Sequence, residues 1–152
     1  MKPGGWIEFQ DLHFYPRCDD GTMGDDDVLE SFINLLSDAL MANDMDMNKC
    51  RALRGPLTRA GFTNIQLIKK MVPIGEWHED PTFQYVGGCQ KEALLGIIPS
   101  ICGQPLESIG IGRVEREVWA SAARKAVEDE SVHRYFTWYF WIAQKPATAG
   151  TI

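Results

Sequence analysis

The stretch that most constrains the fold is residues 132–143, which read VHRYFTWYFWIA. From Trp138 to Ala143 its only polar side-chain groups are one tyrosine hydroxyl and the indole N–H groups of two tryptophans. Aromatic and β-branched residues favour strands, and a strand without alternating polar positions is covered on both faces. A strand of that kind lies inside a sheet. We therefore predict that residues 132–143 form a central strand, with earlier segments beside it and over it.

Hydrophobic spacing and turn residues predict the other elements. The predicted strands are residues 6–12 and 63–72, and the predicted helices are residues 28–41, 46–61, 81–98 and 113–128. Apolar side chains recur every three or four residues in the helical segments and mark one buried stripe each. In the last of these helices, the residues expected to face inward are Val114, Val118, Ala122 and Ala126. Residues 13–27 are expected to form an acidic loop whose carboxylates favour the following helix N-terminus.

Capping and breaking residues set the predicted helix ends. Asp46 and Asp80 are the expected N-caps, and Pro81 suits a first helical turn. Gly55-Pro56 is expected to break or kink the second helix, and Pro99 to end the third. The pair Gly87-Gly88 lies within helical sequence, where it favours close packing over ligand binding.

The length of 152 residues is enough for one domain with a hydrophobic core, and the 45% hydrophobic and 24% charged residues are ordinary globular values. We expect residues 1–146 to form this domain and residues 147–152 a loose tail. The net charge of −6 argues against a nucleic-acid partner, which requires clustered Lys and Arg. The apolar runs are too short to cross a bilayer, and without a signal-like leader the expected location is intracellular, either cytoplasmic or nuclear.

Neither the cysteines nor the glycines form a recognised binding motif. The four cysteines contain no CxxC pair, so no metal site is expected, and Cys50 is predicted to be a buried free thiol. Gly110 and Gly112 resemble part of a dinucleotide-binding turn. The third glycine is missing and no strand directly precedes them, so a loop before a helix is the better interpretation.

Several segments carry a resemblance to a known family. MKPGGWIEFQD is similar to the entry into strand five of class I S-adenosylmethionine-dependent methyltransferases. More narrowly, the chain resembles the LaeA-like (TAM-domain) methyltransferases of filamentous fungi, over nearly all of its length and in the family's order. The segments that support the narrower resemblance are PGGWIEFQD, LTRAGFTNI, PIGEWHEDP, ARKAVEDESVHRY and the closing QKP.

The resemblance implies an α/β fold that is part of a Rossmann-like methyltransferase. It implies a three-stranded mixed sheet in the family's order five, seven, six, with about four helices. In that family the half that binds the methyl donor precedes the KPGG turn, and these residues contain no G-x-G-x-G turn behind a strand. The resemblance therefore implies the C-terminal half of the fold, without the cofactor-binding half. S-adenosylmethionine is the cofactor of the family, and no cofactor is expected to bind this chain alone.

Three functions remain open at this point. The chain could be a truncated or split methyltransferase of secondary metabolism that is unable to bind its cofactor alone. It could instead be a cofactor-free cyclase or isomerase that uses the remaining substrate pocket. The third function is a non-catalytic interaction module whose exposed strand edge pairs with a partner.

Candidate site residues follow from the rule that ligands bind beyond the carboxyl ends of parallel strands. Asp11 and His13 are the catalytic candidates, because either type can act as a general base when suitably tuned. The predicted binding residues for a small-molecule substrate are Gln10, Tyr15, Trp77 and His78. His133 precedes an antiparallel strand and is expected to be structural.

The family's strand four would lie against residues 6–12. Without it, one side of that strand has unpaired N–H and C=O groups, which recruit other strands. The sequence therefore predicts a homodimer, or a complex with another chain, through the edge of residues 6–12.

Overall fold

The computed structural model describes residues 1–147. The fold is α/β, as predicted, with three strands, five α-helices and one 3₁₀ helix in this part of the chain. In chain order these are β1 (Trp6–Arg17), α1 (Val28–Met41), a 3₁₀ helix (Lys49–Ala52), α2 (Arg54–Arg59), β2 (Thr63–Pro73), α3 (Pro81–Ile101), α4 (Gln104–Ser108), α5 (Arg113–Glu128) and β3 (Tyr135–Gln144).

The three strands pair in the order β1-β3-β2, so the predicted central position of the last strand is confirmed. Both pairings are antiparallel. Lys145 N–H donates to Gly5 O at 2.8 Å, which joins the end of β3 to the start of β1. Ile74 N–H donates to Arg134 O at 2.8 Å, which joins the end of β2 to the start of β3. No residue of β3 is exposed, because its unbroken apolar sequence can be covered on both faces.

The chain divides into two compact units. The first unit comprises Met1–His13, Asn48–Lys70 and the chain from Thr137 onward. Its core contains Cys50, Leu57, Tyr139, Trp141 and Ala143. The predicted single domain over residues 1–146 remains a prediction. Of the predicted tail 147–152, all but Ala147 lies outside the described residues.

The second unit comprises Phe14–Met47 and Met71–Phe136. Its helices α1, α3, α4 and α5 pack against one another. The large, fully buried side chains of this unit include Phe32, Ile33, Ile98, Leu106, Val127 and Phe136. Phe14 and Phe136 stack with ring centroids 5.0 Å apart, which joins β1 to β3 within the unit.

The predicted end of the first strand is wrong. β1 continues through His13 to Arg17, across residues that were expected to begin the acidic loop. His13 and Pro16 are buried, and the aromatic residues between them favour extended backbone. A proline fits here because β1 is an edge strand, where a ladder hydrogen bond can be missing. The carboxyl end of β1 is therefore five residues later than the sequence indicated.

The predicted helix over residues 46–61 is also wrong in detail. It consists of the 3₁₀ helix and α2, and neither has a side-chain cap. Pro56 lies in the first turn of α2, where a missing N–H removes no intrahelical bond. The expected end at Gly61 is confirmed: this residue has φ +82°, and Phe62 N–H donates to Leu57 O at 3.0 Å in a Schellman arrangement.

Two features of the later helices differ from expectation. α3 continues past Pro99 to Ile101. In α5, Val114 and Val118 are 75% and 62% exposed, and the buried residues are Ala123, Ala126 and Val127. A spacing of four residues drifts by about 40° per step around a helix. Residues spaced by four from Val114 therefore do not all lie on the buried face of α5.

Candidate functional site

The second unit contains an aromatic cavity of about 310 Å³. Its lining comes from the segment after β1, the end of β2, the connection into α3, the first turn of α3 and the start of β3. The lining residues are Asp19, Asp20, Met71, Pro73, Trp77, His78, Phe83, His133 and Tyr135. The volume lies at the lower end of the range of small-molecule sites, which suits a ligand of one or two rings.

Four rings follow one another along the wall of this cavity. Trp77 stacks on His133 with centroids 4.7 Å apart and planes at 19°. On its other side Trp77 contacts His78, at a centroid distance of 5.7 Å, and His78 contacts Phe83 at 4.7 Å. Flat, polarisable surfaces of this kind favour stacking with an aromatic ligand.

The backbone around Arg134 fixes Trp77. The indole Nε1–H of Trp77 donates to Arg134 O at 3.0 Å, and the same carbonyl accepts from Ile74 N–H. The Arg134 side chain is itself buried, and its Nη2 lies 2.5 Å from Asp27 Oδ2. Asp27 also caps α1 by accepting from Glu30 N–H at 3.0 Å. The tryptophan is therefore held by a network that reaches the start of α1.

His133 pairs with a carboxylate at the edge of the cavity. Its Nδ1 lies 2.5 Å from Asp20 Oδ2, and its backbone N–H donates to Thr22 Oγ1 at 2.9 Å. Asp20 Oδ1 accepts from the Cys18 thiol at 3.0 Å and from the Thr22 hydroxyl at 2.7 Å. These donors hold the pKa of the Asp20 carboxyl well below its usual range, the Cys18 thiol contributing most and Thr22 next. Asp20 is therefore ionised at neutral pH.

The Nδ1 atom of His78 faces a hydrogen-bond donor, whereas that of His133 faces a carboxylate. The backbone N–H of Asp80 donates to His78 Nδ1 at 3.0 Å, so this nitrogen is an acceptor. Asp80 caps α3 as predicted, accepting from Thr82 N–H at 2.7 Å. That bond is the main reason why the pKa of the Asp80 carboxyl is lowered.

Tyr135 supplies a phenol at the start of β3. Its hydroxyl donates to Asp19 Oδ1 at 3.0 Å. Burial, followed by the bond to Asp19, raises the pKa of Tyr135 above its ordinary value. The phenol therefore stays protonated throughout the physiological range.

The structure brings only two of the predicted site residues to this cavity, Trp77 and His78. Gln10 and Asp11 are exposed positions within β1, and Asp11 Oδ1 accepts from Leu12 N–H at 2.8 Å. His13 is buried in the first unit, where its ring meets Tyr139 edge-on at a centroid distance of 6.0 Å. The catalytic roles of Asp11 and His13 remain predictions.

The Tyr15 hydroxyl, also predicted to bind substrate, donates to Glu30 Oε1. This bond is the main reason why the pKa of Tyr15 is raised. The binding roles of Gln10 and Tyr15 likewise remain predictions, because neither residue lines the cavity.

The sequence interpretation missed His133, Asp20 and Tyr135. His133 was expected to be structural because it precedes an antiparallel strand. The start of an antiparallel strand, however, lies beside the carboxyl ends of its neighbours, as the bond from Ile74 to Arg134 demonstrates. The same rule that selected Trp77 after β2 therefore also selects His133 before β3.

A nucleoside-containing cofactor such as S-adenosylmethionine requires a particular kind of backbone site. Such a site uses backbone N–H groups of a glycine-rich turn between a strand and a helix. In the connection from β2 to α3, Gly75 N–H donates to Gly87 O at 3.1 Å. In the connection from β1 to α1, Thr22 N–H donates to Asp20 Oδ1 at 3.0 Å. These donors are already used within the chain.

Residues 1–147 contain neither a metal-binding cluster nor a membrane-spanning helix. No group of three or more His, Cys, Asp or Glu side chains there is arranged to hold a metal ion. Cys18, Cys50, Cys89 and Cys102 are free thiols, and Cys50 is buried as predicted. None of the helices in this part of the chain combines the length and apolarity needed to span a bilayer.

No protein-family model matches the chain, but curated proteins do. The secondary metabolism regulator LAE1 of Cochliobolus heterostrophus is 28% identical over 149 residues, which cover 96% of this chain and 48% of LAE1. The methyltransferase pytC of Aspergillus terreus is 24% identical over 147 residues, covering 96% of this chain and 45% of pytC. The protein-methionine methyltransferase laeA of Emericella nidulans is 25% identical over 148 residues, covering 96% of this chain and 39% of laeA.

These relatives confirm the resemblance read from the sequence. The chain is LaeA-like: over about 96% of its length its homologues are LaeA proteins and related methyltransferases of secondary metabolism. The chain spans about half the length of the curated relatives it matches.

Proposed function

We propose that residues 1–152 are the acceptor-binding portion of a LaeA-like methyltransferase, corresponding to the C-terminal half of its fold. In this proposal the cavity walled by Trp77 and His133 holds the methyl acceptor. Two observations, taken together, support the proposal. The homology to methyltransferases extends over 96% of the chain, and the chain also contains a formed aromatic cavity.

The chemistry of the cavity supports a small aromatic acceptor. Its wall is built from stacked rings, and its polar groups are confined to a few carboxylates, imidazoles and one phenol. Sites for small organic ligands combine an apolar lining with a small number of placed polar groups. Ring stacking supplies contact area without selecting one compound, so the polar groups would determine orientation.

The second part of the proposal concerns where the methyl donor binds. Methyltransferases of this kind use S-adenosylmethionine, and we propose that its site is formed by residues outside this chain. The support is the absence of a G-x-G-x-G turn from the sequence, together with the internal use of donors in both strand-to-helix connections. We also propose that the protein is intracellular. Cysteines that form no disulfide within residues 1–147 are consistent with that location.

Calorimetric titration with S-adenosylmethionine tests this assignment of the donor site. Residues 1–152 are expected to give no saturable heat, because their sequence contains no G-x-G-x-G turn to bind the adenosyl group. A chromogenic nitrophenol serves as a positive control on the same sample, since it offers a flat ring and an ionisable hydroxyl to the cavity. Micromolar binding of S-adenosylmethionine by the chain alone would contradict the proposal.

We also propose that the chain associates through the outer edge of β1. Among the described strands, β1 has only β3 as a neighbour. Trp6 and Phe9 are about half exposed on it. An edge strand with exposed apolar side chains pairs readily with another strand, and the simplest pairing is with a second copy across a two-fold axis. The opposite edge strand, β2, carries Lys69 and Lys70, which discourage such pairing.

Light scattering at increasing concentration tests this association. The wild-type chain is expected to have the mass of a dimer, and Phe9→Pro to be monomeric or aggregated because proline removes a ladder donor. Ile68→Pro is the matched control, since it makes the same change in β2 and should leave the dimer intact. A wild-type monomer at every concentration would overturn the proposal, as would equal disruption by both variants.

A further inference from the structure

The two histidines of the cavity hold their protons on different nitrogens. Asp20 is ionised, and an ionised carboxylate only accepts hydrogen bonds, so the proton between it and His133 belongs to Nδ1. His78 Nδ1 accepts from a backbone N–H, so the proton of a neutral His78 belongs to Nε2. The neutral cavity therefore has one imidazole acceptor, His133 Nε2, and one imidazole donor, His78 Nε2.

His133 Nε2 is available to a ligand. Within residues 1–147 the hydrogen bonds of His133 run through Nδ1 and the backbone N–H, to Asp20 and Thr22. The ring also lines the cavity and stacks on Trp77. The stacked tryptophan and the carboxylate fix the plane and rotation of the imidazole. A ligand that lies along the aromatic wall therefore meets an imidazole whose orientation is already set.

We propose that His133 is the proton acceptor of the cavity, taking through Nε2 the proton of a hydroxyl or ring N–H group on a flat aromatic ligand. The ligand's O–H or N–H bond breaks and leaves its electron pair on the ligand heteroatom, while a new N–H bond forms at Nε2. Asp20 stabilises the resulting imidazolium. This inference rests on the proposed function, in which the ligand is the methyl acceptor and loses this proton during its reaction.

The charges around His133 determine whether protonating this residue stabilises or destabilises a deprotonated ligand. The other ionisable lining residues are Asp19, Asp20, His78 and Tyr135. Within residues 1–147 the lining itself contains no lysine or arginine, and the nearby cation is Arg17, which interacts with Tyr135. Asp20 is hydrogen-bonded to His133, and both carboxylates disfavour an anionic ligand. An imidazolium at His133 is therefore the group in the lining that is positioned to offset this repulsion and stabilise the deprotonated ligand.

A nitrophenol that ionises near neutral pH is the probe, because its anion has a distinct visible absorbance. Bound to the wild-type chain, it is expected to ionise at a pH lower by roughly 1 unit than when bound to His133→Gln. Asp20→Asn is expected to reduce this difference, because the imidazolium loses its carboxylate. Circular dichroism verifies that both variants are folded.

Nitrogen-15 NMR of the imidazole rings gives a second, independent readout. The chain has three histidines, so His→Gln variants assign every signal. In the free protein at alkaline pH, His133 is expected to be protonated on Nδ1 and His78 on Nε2. Saturating nitrophenol near neutral pH should convert His133 to the doubly protonated form and leave His78 unchanged.

The results of these experiments distinguish the proton-transfer inference from the proposed acceptor cavity. One result is that nitrophenol binds, His133 remains neutral, and the absorbance of the bound nitrophenol is the same in wild type and His133→Gln. That result overturns the inference about proton transfer and leaves the proposed acceptor cavity standing. If nitrophenol fails to bind the wild-type chain, both the cavity as an aromatic acceptor site and the inference fail. Protonation of free His133 on Nε2 would overturn the inference by itself.

Discussion

Replacing Arg134 with methionine is expected to lower the free energy of unfolding by about 3–5 kcal/mol. Arg134 and Asp27 are only 6% and 4% exposed at their side chains, and both Nε and Nη2 of the arginine donate to Asp27 Oδ2, at 2.9 and 2.5 Å. Arg134 Nη1 also donates to Ala126 O at 2.7 Å. Methionine removes every one of these donors and leaves a buried carboxylate without its charge partner. Chemical denaturation monitored by circular dichroism measures the loss.

Two further variants make this prediction specific. Arg113→Met removes the cation of the pair between Arg113 and Glu117, whose side chains are 85% and 63% exposed, and should leave the unfolding midpoint almost unchanged. The double variant Arg134→Met with Asp27→Leu should be more stable than Arg134→Met alone, because no buried charge is left unpaired. A loss in Arg134→Met as small as that in Arg113→Met would contradict the role assigned to the buried pair.

Replacing Gly87 with alanine is the second change expected to destabilise the fold strongly, by roughly 3 kcal/mol, near the upper end of overpacking costs. A Cβ atom on Gly87 would lie 2.0 Å from the carbonyl oxygen of Gly75 and 3.1 Å from Pro73 Cβ. The atom in the way is backbone, and Gly75 N–H is bonded to Gly87 O, so neither segment can move without losing that bond. Close packing at this glycine, predicted from the sequence, is confirmed.

Gly96→Ala is the matched control for this variant. Gly96 lies in the same helix, α3, and a Cβ there meets nothing within 4 Å. Because alanine is the better helix former, Gly96→Ala should raise the free energy of unfolding by about 1 kcal/mol. Thermal unfolding of the two variants should therefore shift in opposite directions. Equal midpoints would contradict the packing described at Gly87.

The fold was largely predictable because its strongest signals are local. The unbroken apolar run predicted the central strand β3, and regular apolar spacing predicted α1 and α5 with their observed ends. The Asp80-Pro81 start of α3 was equally clear, since the cap and the first-turn proline act within one turn of the helix. In each case the residues that determine the structure are neighbours in sequence.

The ends of elements and the buried faces depended on tertiary contacts that the sequence does not display. β1 extends to Arg17 because His13 and Pro16 are buried by residues distant in sequence. The inward face of α5 differs from the expected one for a similar reason. This helix packs against α1 and α3, with Ala123 and Val127 buried and Val118 exposed.

The candidate site was half predictable for a related reason. Placing ligands beyond the strand ends selected Trp77 and His78 after β2, and both residues line the cavity. For the first strand the same rule was applied five residues too early, so it selected Asp11 and His13 where the cavity is lined by Asp19 and Asp20. The strand boundary that was placed too early explains why Asp11 and His13 lie outside the cavity lining, and their catalytic roles stay predictions.

The most direct test of the proposed acceptor site is an NMR titration that follows the indole N–H signals of the five tryptophans as nitrophenol is added. Trp77 is the only one of the five in the cavity lining. We predict a saturable shift of the Trp77 signal, while the signal of Trp6, which is 52% exposed, remains in place. An unchanged Trp77 signal, or a larger shift at Trp6, would contradict the claim that this cavity holds the methyl acceptor.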